Sequence, residues 1–428
     1  MDRDALAAVP EAAPQGSIPA KGLRKGSFRA LKSRPFRRFF AGQVVSASGT
    51  FLQQTAIGWL VLQLTDSATS LGLVLAAGGL PSLLLGPWGG AIADRVDLRK
   101  LLIATQTFFG VLAGVLWIFA AQGSASIAVI VTINVVGGFV QIVDSPARQA
   151  FVGRLVVPAD LASAVSLNGV VVNTARVVGP AVAGALIVTV GTTPCFAVNA
   201  VSYIAVVIAL LTVHPLADAS RSARLKGAVR DGLRYARGRQ QLWLPLVMMA
   251  LVGLLAFNFA VILPVMARKT FHGSGGTYGL MATMLSLGSI VGSLGVGLVR
   301  HPRRPLLVAA ALAFGACLAL TAGAPNVPLV CAALVLTGAA AFAFVTLCST
   351  TLQLHSSTTY RGRIMALWVF VYIGTTPIGS ILTGWITEAG GTRLALLVGS
   401  GACLVAAAIA ARVHTPPNPD ATLTDLVH

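Results

Sequence analysis

Uncharged apolar segments of about twenty residues recur along the whole chain and restrict its fold more than any other feature. An α-helix of about twenty residues spans the ~30 Å hydrocarbon core of a lipid bilayer. Only 10% of the 428 residues are charged and the mean hydropathy is +0.82, whereas soluble domains carry about 25% charged residues. Because barrel-type alternation is absent from the sequence, we predict an all-α membrane protein.

Hydropathy and helix-breaking residues together predict twelve membrane spans. We place them at residues 36–64, 69–93, 99–121, 126–146, 161–190, 193–213, 241–267, 276–299, 305–323, 327–352, 363–387 and 393–412. The prediction divides the chain into a tail (1–35), a six-helix half (36–213), a basic linker (214–240), a second six-helix half (241–413) and a tail (414–428).

Basic residues are distributed unequally between the two sides of this topology. Of the 31 Lys and Arg residues, three lie on one side (Arg268, Lys269 and Arg393), one lies inside a span (Arg176), and the others lie on the opposite side with both termini. The positive-inside rule therefore predicts an inner-membrane protein with both termini in the cytoplasm. Since topology explains the net charge of +18, we predict no nucleic-acid partner.

The linker contains apolar residues at every fourth position among its basic residues, namely Leu225, Val229 and Leu233. This spacing predicts a short amphipathic helix on the cytoplasmic surface. Such a helix serves as an interfacial anchor or, alternatively, binds lipid in a regulatory role.

Three sequence stretches resemble the major facilitator superfamily. "GGAIADRVDLRK" resembles its motif A, although Asp97 and Leu98 stand where the usual pattern has one Gly, as in the branch containing the enterobactin exporter and macrolide efflux proteins. "DSPARQAFVGRLVVPADLASAVSLNG" and "RGRIMAL" are also similar to that branch. The resemblance covers about residues 34–412 and implies a transporter with two six-helix pseudo-repeats around a central site.

The resemblance implies that motif A forms a cytoplasmic gate. Asp94 would meet the start of span eleven near Arg361 and Arg363, and Arg99 would lie near Asp144 at the cytoplasmic end of span four. The spacing of Asp144 and Arg148 predicts a local ion pair. Alternatively, these charges only satisfy the topology. The complete gating set is Gly90, Asp94, Arg95, Arg99, Lys100, Asp144, Arg148, Arg361 and Arg363.

"RVVGPAVAG" in the fifth span resembles a motif of exporters that exchange substrate for protons. Gly179 and Gly184 permit close helix contact and Pro180 bends the span, with Pro377 as its echo in span eleven. Tight packing alone is the alternative explanation.

Arg176 shares a helix face with polar and small residues, including Asn168 and Asn173, opposite an aliphatic face. No carboxylate of the predicted topology reaches it, and an unpaired intramembrane guanidinium is costly outside a water-filled cavity. We hypothesise that it binds an anionic or carbonyl-rich part of a substrate. The alternative is a packing role, with bonds to backbone carbonyls or Gln side chains.

Other polar residues predict the remainder of this cavity, which we expect to be moderately polar and poor in aromatic residues. They are Gln43, Thr50, Gln54, Asn134, Gln141, Asn258 and Tyr372.

Taken together, these features predict a secondary transporter that exports small drug-like or siderophore-like molecules. The resemblance implies a proton gradient as the energy source, with Asp94, Asp144 and Glu388 as the candidate proton carriers. An uptake permease and a lysolipid flippase remain alternatives. We predict no enzymatic activity, metal or cofactor, and a monomer whose partners are its substrate and the bilayer.

Overall fold

The computed structural model describes residues 28–93, 95–213, 228–297 and 304–412, and this part of the chain contains thirteen α-helices. They are α1 (Arg34–Thr65), α2 (Ala68–Ala93), α3 (Leu98–Ala121), α4 (Ile127–Arg154), α5 (Leu161–Val190), α6 (Thr193–Thr212), α7 (Ala228–Arg237), α8 (Gln240–Leu255), α9 (Phe259–Val265), α10 (Gly275–Val296), α11 (Arg304–Gly323), α12 (Val327–His355) and α13 (Thr358–Arg412). The predicted linker helix is confirmed as α7, and residues 214–227 lie outside the described part.

Ten segments of the described chain are long and apolar enough to cross a membrane, so the predicted count of twelve is not reached by this criterion. The first predicted span is α1, which is less apolar because it contains three arginines and four glutamines. The eleventh and twelfth predicted spans are joined in the 55-residue helix α13, which is interrupted at Gly391.

Helix geometry is interrupted at two places in the second half, one inside the seventh predicted span and one between the eleventh and twelfth. The seventh is broken into α8 and α9 at residues 256–258, and a π-turn at Met266–Thr270 follows α9. Gly391 has φ 79°, a left-handed conformation that costs glycine little because it has no Cβ. Asn258 at the first break is buried, and its Oδ1 has no hydrogen-bond partner among the described residues.

Helix pairing repeats between the two halves of the described chain. In the first half α2 packs against α4, and α3 packs against α6; in the second half α10 packs against α12, and α11 packs against the last part of α13. Two further pairs, α2 with α13 and α5 with α10, join the halves. The pseudo-repeats that the family resemblance implies therefore correspond to a repeated helix arrangement.

We call the end of the bundle that carries α7 the linker end and the opposite end, where α1 meets α2, the distal end. Among the described residues, the ion pairs that join α1–α6 to α8–α13 lie at the distal end, together with the hydrogen bonds that Glu388 and Arg268 make to the first half. The structure is therefore closed by polar contacts at its distal end.

Candidate substrate site and gates

Arg176 lies at the midpoint of α5, between an aromatic residue of each half. Its guanidinium carbon is 5.8 Å from the ring centroid of Phe51 in α1 and 4.8 Å from that of Phe342 in α12. Phe51 and Phe342 are themselves near the middle of their helices. A guanidinium over an aromatic face gains about 0.5–2 kcal/mol, and more as water is excluded. The site is thus central in depth and shared between the halves.

The guanidinium of Arg176 has no hydrogen bond or ion pair with any residue in the described part of the chain. The side chain is only partly buried. The alternative packing role, with bonds to backbone carbonyls or Gln side chains, is therefore not what the structure contains. Aromatic faces contact the plane of the cation and leave its five N–H donors free for an anion.

An aromatic cluster continues from Phe342 into the second half. The ring of Phe257 lies 6.4 Å from Phe342 and 6.3 Å from Tyr372, which stacks on Trp368 at 6.1 Å. Our expectation of an aromatic-poor cavity is therefore wrong. Hydropathy gave no signal for this cluster, because the same residues suit lipid, a helix interface or a ligand pocket equally well.

The other predicted cavity residues are dispersed. Gln43 and Thr50 contact Arg148 and Tyr203 within the first half, and buried Asn258 donates to the carbonyl of Leu254. The remaining predicted residues are half-buried or exposed, namely Asn134, Asn168, Asn173, Gln54 and Gln141. Asn134 packs against Gly78 of α2. Of the predicted set, Tyr372 is the residue that joins the aromatic cluster around Arg176.

Asp144 and Arg148 form the predicted ion pair, which is confirmed. The side chain of Asp144, which we expected near the cytoplasmic surface, is completely buried among its helix neighbours. It also accepts hydrogen bonds from Thr105 Oγ1 at 2.6 Å and Gln106 Nε2 at 2.7 Å, while Arg148 donates to Gln43 Oε1 at 2.9 Å. This network ties α1, α3 and α4 together.

Arg99 does not approach Asp144, and this part of the motif A expectation is wrong. Its guanidinium donates to the carbonyls of Leu210, at 2.7 Å, and Leu211, in the last turn of α6. The last carbonyls of a helix lack internal partners and carry partial negative charge, so they attract a cation.

The start of α13, where the motif A carboxylate was expected, is occupied by α7. Asp231 Oδ2 lies 3.6 Å from Arg363 Nη1, and Tyr235 stacks on Tyr360 with centroids 4.1 Å apart. Asp94 lies outside the described residues, so its contact remains a prediction. Of the other gating residues, Arg95, Lys100 and Arg361 are exposed and Gly90 falls in the last turns of α2.

The predicted helix-bend residues lie at close helix contacts, three of them between the halves. A Cβ built on Gly184 would lie 3.0 Å from Gly279 Cα of α10, and one on Gly279 would lie 2.7 Å from the carbonyl oxygen of Pro180. Pro377 Cγ is 2.7 Å from a Cβ built on Gly79 in α2. Gly179 instead meets Phe51 of α1, within its own half. The prediction of close helix contact is confirmed for Gly179 and Gly184.

Replacing Gly184 with Leu is expected to separate α5 from α10 and to lower transport by about tenfold, since overpacking costs about 1–3 kcal/mol. Initial transport rates in vesicles measure the effect. Gly169→Leu in the same helix is the matched control, because nothing lies within 4 Å of its position. Equal rates for both variants would contradict a role of the close contact in closure.

Comparison with known proteins decides the family. The family model described as transmembrane secretion effector, of the major facilitator superfamily, matches residues 25–427. The chain belongs to this family. Among solved structures, a bacterial homologue of the human lysosomal transporter Spinster has a TM-score of 0.74 at 14% identity, covering 90% of this chain and 99% of that one. This major facilitator transporter is not an enzyme.

Several relatives are transporters of small molecules. The staphyloferrin A transporter of Staphylococcus aureus is 30% identical over 60% of this chain and 65% of its own length, so the chain spans just under two thirds of it. The multidrug efflux pump Tap of Mycolicibacterium fortuitum is 24% identical over 86% of this chain and 92% of that protein. Macrolide efflux protein A of Streptococcus pyogenes is 22% identical, over 87% and 94%.

Proposed function

We propose that this transporter exports small drug-like or siderophore-like molecules with an anionic group, driven by protons, through alternating access of its two halves. The observation that carries the proposal is Arg176, held at mid-depth between Phe51 of one half and Phe342 of the other. A binding site shared by both halves changes its exposure when the halves move relative to each other. The names of the relatives, a siderophore transporter and two efflux pumps, support the substrate class.

The proposal includes twelve membrane crossings, with the linker end and both termini in the cytoplasm of an inner-membrane protein. At ~1.5 Å per residue the 55 residues of α13 extend about 80 Å, more than twice the bilayer core, and Gly391 interrupts them. The 32 residues of α1 are also long enough to cross. The concentration of Lys and Arg on one side supports this orientation.

We further propose that the monomer is the functional unit and that the proton gradient is its energy source. Arg176 and the aromatic cluster come from a single chain, which supports a site complete in the monomer. Of the two candidate carboxylates that the structure describes, Asp144 is buried and Glu388 is exposed, and a buried acid within a membrane helix is costly unless it has a function.

The test uses the purified full-length protein in vesicles with an acidic lumen. Molecules inserted with the cytoplasmic face outward would accumulate external substrate as protons leave the lumen. The probes are carboxylate and catecholate siderophores, a macrolide and a lysolipid, with a protonophore as the control. Accumulation that is indifferent to the gradient would exclude proton coupling. Transport in the opposite direction would support an uptake permease, and movement of lysolipid alone would support a flippase.

A further inference from the structure

Glu388, near the distal end of α13, contacts the start of α2 in the other half. Its Oε2 accepts hydrogen bonds from the backbone N–H of Ala68 at 2.5 Å and of Thr69 at 3.3 Å. The same oxygen accepts from Ser67 Oγ at 3.2 Å, and Oε1 lies 3.5 Å from Lys269 Nζ. A carboxylate of the second half therefore caps a helix of the first half.

This contact is stronger than an ordinary surface ion pair. The first N–H groups of a helix have no internal partner and carry partial positive charge, so a carboxylate that binds them forms charge-assisted hydrogen bonds. The other ion pair between the halves at this end, Asp66 with Arg268 at 2.9 Å, is also partly exposed, but it includes no backbone N–H group at the start of a helix. Such exposed pairs contribute little, because water and salt screen them.

The capping contact lies on the distal side of the point where α2 and α13 approach each other most closely. A Cβ built on Gly384 would be 2.7 Å from the carbonyl oxygen of Ala68, and one on Gly72 would be 2.3 Å from that of Ser380. Because the two helices touch along this line, the distal end cannot open without moving Glu388 away from the first turn of α2.

We propose that Glu388 is the residue that holds the distal gate closed. Motif A implies a carboxylate at the end of span two that binds the start of span eleven at the cytoplasmic side. At the distal end the roles are exchanged, with a carboxylate of span eleven bound to the start of span two. The inference rests on the alternating access of the proposed function, and not on its substrate or its coupling ion.

Distances between paired spin labels in the full-length protein test this inference without a transport assay. The five native cysteines are replaced, and one pair is placed at Ser124 and Pro325, both exposed at the distal end. A second pair at Val157 and Thr358, exposed at the linker end, reports the opposite gate. Measurements are made in lipid nanodiscs without substrate.

In Glu388→Ala the ratio of distal-open to distal-closed molecules is expected to rise roughly tenfold, with a shorter distance at the linker end. Glu388→Gln keeps an acceptor but loses the charge, so we expect roughly a threefold rise. Asp66→Asn is the matched control, since it removes the other ion pair between the halves at the same end. Unchanged distributions in both Glu388 variants, or an equal shift in Asp66→Asn, would overturn the inference. If the distances change as expected but the unaltered protein transports none of the probes, the proposed function fails and this inference stands.

Discussion

Efflux of anionic substrates is expected to fall by about tenfold to a hundredfold when Arg176 is replaced by Gln. A hydrogen bond to a charged group contributes about 1.5–3 kcal/mol, and each 1.4 kcal/mol corresponds to a factor of ten in affinity. The Gln side chain is shorter and uncharged, so it loses both the anion contact and the interaction with the rings of Phe51 and Phe342. Substrate affinity and initial rates in the acidic-lumen vesicles measure the change.

Two variants separate recognition of the substrate's charge from a nonspecific loss of activity caused by removing an arginine. Arg176→Lys keeps the charge but loses the planar donor geometry, so we expect partial activity. Arg393→Gln removes an arginine at the distal end that contacts the carbonyl of Ala324, and we expect it to leave substrate affinity unchanged. If Arg176→Gln transports every tested substrate at the normal rate, the proposed substrate site is wrong.

Asp144→Ala is expected to destabilise the protein by about 3 kcal/mol, the lower end for a broken buried pair, because it leaves the partly buried Arg148 charge without its anion. The side-chain donors of Thr105 and Gln106 also lose their acceptor. Thermal unfolding in detergent, followed by the fraction of monodisperse protein, measures the loss. Asp231→Ala is the matched control, since its pair with Arg363 lies at a partly exposed surface.

Removing both charges separates the cost of an unpaired arginine from the cost of the hydrogen bonds that Asp144 accepts. Asp144→Leu combined with Arg148→Leu is expected to recover much of the stability lost in Asp144→Ala, because no unpaired charge remains. If the double variant is as unstable as Asp144→Ala, the loss comes from the hydrogen bonds to Thr105 and Gln106 rather than from the unpaired arginine.

Features that depend on one helix alone were predictable from the sequence. The pairing of Asp144 with Arg148 follows from their spacing of four residues, and the inward direction of Arg176 follows from the distribution of polar residues around α5. The helical membrane fold and the close contacts at Gly179 and Gly184 also followed from local composition. Each of these features is fixed by the regular geometry of a single helix.

Which helices meet, and at what depth, was decided only by the tertiary structure. Arg99 binds the end of α6 instead of Asp144, Arg176 meets Phe51 and Phe342, and Glu388 caps α2 from 320 residues away in the sequence. These contacts depend on the rotation and relative height of helices distant in the sequence. Hydropathy carries no information on either, because in a membrane apolar residues suit lipid-facing and buried surfaces alike.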